Sequence, residues 1–120
     1  MNNFRADEIE RIIESVPDEE ITSELSSVIY SLGRDSETEE EYDYAFSKLL
    51  ELYKRENETV KAQVIQAFSM MAVLKKEIKI LDRIIVEPLI LSADSVAIGT
   101  NKQIIQEAIE DINFSLKWNI

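Results

Sequence analysis

Two glycines and two prolines in 120 residues leave this chain few places to reverse direction. Strand-rich folds rely on those residues for frequent turns, so their scarcity favours long helices with short connections. The apolar pattern agrees, because hydrophobic side chains recur at three- and four-residue spacing along nearly the whole sequence. Ile9, Ile12, Ile13 and Val16 mark a first helix that ends before Pro17. Asp18 is the expected cap of a second, carrying Ile21, Leu25, Val28, Ile29 and Leu32, with Gly33 as its C-terminal stop. Ser36 or Thr38 caps a third, with Tyr42, Ala45, Phe46, Leu49, Leu50 and Tyr53 on its apolar side. A fourth shows Val60, Val64, Ala67, Phe68, Met71 and Leu74. A fifth runs from Ile80 to Ser92, bent or interrupted near Pro88, and after Ala97 to Thr100 a sixth carries Ile104, Ile105, Ala108, Ile109, Ile112 and Leu116. No stretch sustains the two-residue alternation of a strand.

The helices repeat. Moved forward by 41 positions, Lys61, Val64, Ala67, Phe68 and Met71 fall on Lys102, Ile105, Ala108, Ile109 and Ile112. Moved back by 39, Val60, Val64, Ala67, Phe68 and Met71 fall on Ile21, Leu25, Val28, Ile29 and Leu32. The units span residues 6–33, 41–74 and 80–117 of a single domain, 1–120, each unit a helical hairpin. A period near 40 residues is that of HEAT and armadillo units. The run from Leu49 to Phe68, LLELYKRENETVKAQVIQAF, resembles the middle of a HEAT repeat. A leucine-rich helix leads through an acidic or Asn turn into a Val-Lys start of the next helix, Lys61 standing where that family usually has Arg. The last unit departs from the pattern in its longer joint, Ser95 to Asn101, and the first has Thr22 in place of the basic residue. The resemblance implies an all-α superhelix of three stacked hairpins, about six helices, whose second helices line a concave binding surface.

Chemistry is poorly represented. With no His and no Cys, the chain lacks the commonest general base, the usual zinc ligand and any thiolate. Two glycines cannot build a phosphate-binding loop, and no Gly-x-Ser-x-Gly elbow is present. The acidic run Glu37, Glu39, Glu40, Glu41 and Asp43 fits a solvated helix start, where negative charge suits the helix dipole, better than a metal site. Lys75, Lys76, Lys79 and Arg83 form the sole basic cluster and read as complementing a helix end. No catalytic residue, metal or cofactor is therefore expected.

The net charge of −11 comes from residues 1–60, with 17 acidic and 6 basic side chains, whereas residues 61–120 have seven of each. Such a balance repels nucleic acid and anionic membranes and attracts basic proteins. The opening residues lack the apolar stretch of a secretory signal, and no apolar run approaches a membrane span, so a cytoplasmic monomer is expected. Along the last helix, Gln103, Glu107, Glu110, Asp111, Phe114 and Trp118 fall opposite Ile105, Ala108 and Ile112. The repeat register sets Ser27, Gln66 and Glu107 in one row, Tyr30, Ser69 and Glu110 in the next, and Ser31, Met70 and Asp111 in a third. Ser27, Tyr30, Gln66, Met70, Glu107, Glu110, Asp111 and Phe114 are the candidate partner-binding residues, because exposed aromatics and Met among carboxylates suit a basic partner. Trp118 either joins them or closes the open end of the stack. Small size, acidity and absence of cysteine make the chain similar to bacterial immunity proteins, some of which resemble HEAT-like stacks. That resemblance implies neutralisation of a toxin, such as a nuclease, through a basic surface. A HEAT-like adaptor binding a peptide or an assembly partner is the alternative.

Overall fold

The computed structural model describes residues 4–120, and the first three residues of the expected domain lie outside the described residues. Six helices follow one another: α1 Ala6–Ser15, α2 Ser23–Arg34, α3 Glu39–Tyr53, α4 Glu58–Leu74, α5 Arg83–Val96 and α6 Gly99–Leu116. No strand occurs among the described residues, and the protein is all-α.

Short polar side chains fix most helix starts. Thr22, Thr38, Asn57 and Asp82 each accept a hydrogen bond from the backbone three residues on, which satisfies an N–H the helix cannot. Asp18 does not cap α2, because Glu20 N–H donates to Pro17 carbonyl at 3.0 Å and holds that segment as a separate turn. Helix α5 begins three residues later than the periodicity predicts and ends four later. Leu81 is buried in the core, and Asp82 then caps the start. Pro88 sits inside the helix. The carbonyl it leaves without a donor belongs to Ile84, which is 87% exposed, so water can replace the missing N–H.

The helices form two layers. In one, α4 lies between α2 and α6 and packs against both; in the other are α1, α3 and α5. Overall extents of 37 × 33 × 20 Å match two layers of helices packed about 8–10 Å apart. Thr59 meets Asn101 near the helix starts and Met70 shares a depression with Asp111 near the ends, so α4 and α6 run parallel. Leu25, Val28, Ile29, Leu32, Val64, Ala67, Phe68, Met71, Ile105, Ala108, Ile109 and Ile112 are all buried, as the apolar repeat predicts. Fully burying one such large aliphatic or aromatic side chain contributes about 1.5–3 kcal/mol.

The outer helices stand farther apart and are linked by longer side chains. Tyr44 O–H donates to Glu10 at 3.2 Å, and the Lys48 ammonium bridges Glu10 at 2.5 Å and Glu51 at 2.9 Å. Tyr53 O–H reaches Leu89 carbonyl at 2.8 Å. Arg55 closes the end of α1, donating to the carbonyls of Ile13 at 2.6 Å and Val16 at 2.5 Å. Lys61 donates to the Tyr53 carbonyl, and Lys102, its partner in the repeat, donates to the Asp94 carbonyl at 2.9 Å. Both lysines reach back eight residues, tying the second helix of a hairpin to the first.

Gly33 plays a different part from the helix stop expected of it. Helix α2 continues through it to Arg34, and Asp35 takes the C-cap position. A Cβ at Gly33 would stand 2.8 Å from both Cα and carbonyl O of Ala67 and 2.9 Å from its Cβ. Because two of those atoms belong to the backbone of α4, no rotamer change relieves the clash. Gly33→Ala gains about 0.8–1 kcal/mol of helix propensity but overpacks the α2–α4 crossing, which costs about 1–3 kcal/mol. The expected outcome is a lower thermal midpoint and a shallower crossing with the helical content kept. An unchanged or higher midpoint in a calorimetric scan would contradict the close approach.

Candidate protein-binding face

The outward side of α2, α4 and α6 carries seven of the eight candidate residues. Between α2 and α4 a depression of about 130 Å³ is lined by Ser26, Ile29, Tyr30, Gln63, Gln66 and Met70. A second, of about 220 Å³ between α4 and α6, is lined by Ser69, Met70, Val73, Leu74 and Asp111. Met70 is common to both and forms the ridge between them. Glu107, Glu110 and Phe114 follow on the exposed side of α6, Phe114 being 80% exposed. Because the three helices are the parallel members of their pairs, their C-terminal turns meet along one edge. Tyr30 sits beside Met70 there, and Met70, Val73 and Leu74 beside Asp111.

Ser27 lies elsewhere. It lines a groove of about 430 Å³ between α1 and α2, together with Phe4, Glu8, Ile12 and Glu24. The expected row of Tyr30, Ser69 and Glu110 is also displaced: Ser69 is buried, its hydroxyl donating to Gln66 carbonyl at 2.6 Å, and Tyr30 sits beside Gln66 and Met70 instead. The cause is local. Helix α2 starts four residues later than expected, and its contact with α4 is set by Gly33 and Ala67 rather than by matched repeat positions. Val73 and Leu74 were missed as surface residues. Leu74 shares the apolar side of Val60, Val64 and Met71, yet as the last residue of α4 it lies beyond the core and is 57% exposed.

Ion pairs tie several carboxylates of the outer layer into the fold. On the outer layer, Glu10 and Glu51 hold Lys48, while Asp43 at 2.7 Å and Glu39 at 3.6 Å hold Lys79. Glu41, expected in a solvated run, is buried instead and accepts from Glu37 N–H at 2.9 Å at the start of α3. Near Tyr30, the Arg34 guanidinium stacks over the ring at 4.7 Å and pairs with Asp35, whose carboxyl that pairing holds below its ordinary range. By contrast, no described cation pairs with Glu107, Glu110 or Asp111 within 4.0 Å; Glu107 only accepts from Gln103 at 3.2 Å. The cationic cluster from Lys75 to Arg83 is partly consumed internally. Arg83 pairs with Glu87 at 2.8 Å and donates to Trp118 carbonyl at 2.6 Å.

Trp118 is a cap. It is 5% exposed, with the Arg83 guanidinium 5.5 Å from its ring centre. The chain turns back through left-handed Lys117 (φ 60°) and Asn119 (φ 57°), and Asn113 clamps Ile120 through its N–H at 2.9 Å and its carbonyl at 3.1 Å. Among the described residues, no three acidic side chains converge as a metal would need, and no helix is long and apolar enough to cross a membrane. Neither protein-family models, curated proteins nor solved structures give a match to this chain.

The two aromatics at the end of the chain should therefore respond differently to truncation. Trp118→Ala removes a buried ring and is expected to cost about 3–5 kcal/mol, lowering the thermal midpoint clearly. Phe114→Ala should leave it within about 0.5 kcal/mol of wild type, as surface changes usually do. Equal losses in both variants, followed by thermal unfolding, would place Phe114 in the core and remove it from the face.

Proposed function

We propose that the chain is a non-catalytic binding protein whose α2–α4–α6 face captures a basic protein, acting as an immunity protein that neutralises a toxin domain. One observation carries this reading: Asp111, without an ion pair to a described cation, borders an apolar depression lined by Met70, Val73 and Leu74, and Glu107, Glu110 and exposed Phe114 share its side of α6. Such a mix is what a contact surface for a cationic partner requires, with apolar area for affinity and charge for selection. The HEAT-like resemblance supports it, since the equivalent lysines Lys61 and Lys102 make the same connection in successive hairpins.

Magnitudes assign the roles within the charge. The whole net charge of −11 comes from residues 1–60, largely on α1 and α3 in the other layer of a body 20 Å thick. At physiological salt the screening length is about 8 Å. The outer layer thus steers a partner at low ionic strength, while the α6 carboxylates act at contact under cellular conditions.

An adaptor within a larger assembly is the second reading, and a separate observation favours it. Ile84, Pro88 and Leu91 form an exposed apolar row on α5, directly opposite its buried Val86, Ile90 and Ala93. A further helical unit could cover such a row.

Affinity capture from the source organism with the wild-type chain and a Glu107→Lys, Glu110→Lys, Asp111→Lys variant distinguishes the two. The binding reading expects a single basic protein that is held by wild type, lost from the variant, and bound more slowly as salt rises. Retention of the same partner by the variant, with unchanged salt dependence, would remove the α6 face from the account. A partner lost instead on Ile84→Ser, Leu91→Ser substitution would favour the adaptor.

A further inference from the structure

Resting on the reading that this face meets a basic protein, we propose that the depression between α4 and α6 receives one arginine side chain of that partner. The depression is a trough with an apolar floor and a single charge at its rim: Met70, Val73 and Leu74 supply the floor, and Asp111 supplies the charge. Its volume of about 220 Å³ is below the roughly 300–1,000 Å³ of small-molecule pockets, and is of side-chain size. An apolar floor ending in one carboxylate matches a long side chain whose methylenes lie on hydrocarbon while its cationic head stays at the edge. Lysine and arginine share that build, but Phe114 favours arginine. It follows Asp111 by three residues, so the two side chains are neighbours on α6, and its ring is 80% exposed. A planar guanidinium can bond the carboxylate in two-pronged fashion and stack on the ring, whereas an ammonium offers a point charge. The Lys117 ammonium lies 5.1 Å from the Phe114 ring centre, so this ring already engages a cation. No described cation pairs with Asp111, which leaves that carboxylate open to an outside charge.

The test uses the full chain, ¹⁵N-labelled, with N-acetyl-arginine methylamide as the probe and the corresponding lysine and norleucine amides as comparisons. The arginine probe is expected to shift the amides of Met70, Val73, Leu74, Asp111 and Phe114 saturably, and more tightly than lysine. Norleucine should act weakly. Asp111→Asn should weaken the arginine probe about two- to fivefold, the range of an exposed ion pair, with the circular dichroism spectrum unchanged. Shifts scattered over the acidic outer layer, equal affinity for lysine, or indifference to Asp111→Asn would each overturn the proposal. If a basic protein is captured through the face while the arginine probe leaves the trough untouched, the binding reading stands and the arginine receptor falls. If the probe binds as expected but no basic protein is held, the receptor stands and the binding reading falls.

Discussion

The close crossing of α2 and α4 at Gly33 and Ala67 is the constraint from which the rest of the architecture follows. With backbone atoms of α4 within van der Waals range of Gly33, the two helices approach more tightly than larger side chains would allow. Ala67 is buried there, and Phe68 and Met71 beside it are fully buried. Helix α6 packs on the other side of α4, so α4 is covered by four neighbours and acts as the spine of the molecule. Small side chains set the spacing, and large ones fill what is left.

That spacing produces the face. Hairpins placed side by side put their second helices in one parallel layer, and the C-terminal turns of α2, α4 and α6 share an edge. The carbonyl ends of those helices carry partial negative charge, and the carboxylates of Glu110 and Asp111 lie in the second half of α6. Elsewhere some carboxylates are paired with lysines that serve the fold: Glu10 and Glu51 with Lys48, and Glu39 and Asp43 with Lys79. Glu107, Glu110 and Asp111 are among the carboxylates without an ion pair to a described cation, and Asp111 lies beside Met70, Val73 and Leu74.

The sequence reveals the helices and most of the core because burial and helical period act on the same residues. Val64, Ala67 and Met71 are examples: each sits on the period, and each is buried. Gly33 shows where that signal ends. From sequence, a glycine at a helix end reads as a stop, and only the position of Ala67 reveals that the missing Cβ makes room for another helix. Exposure was legible to the extent that the helical wheel decides it, which suffices to place Glu107, Glu110, Asp111 and Phe114 on the surface. The wheel failed where neighbouring helices decide it. Ser27 turned to the α1–α2 groove and Ser69 into the core because a repeat register assumes equal helix lengths, and α2 is five residues shorter than α4. Leu74 carries the periodic signal of a core residue, and nothing in the pattern announces that the core has already ended.

Native-state hydrogen exchange across a denaturant series tests the central role of α4 most directly. If the Gly33–Ala67 crossing and the packing of α6 make α4 the spine, amides from Val64 to Met71 should exchange only through global unfolding. Those of α1, held mainly by α2 and by side-chain bridges, should open at lower free energy. Helix α4 opening by itself, ahead of α1, would contradict the account.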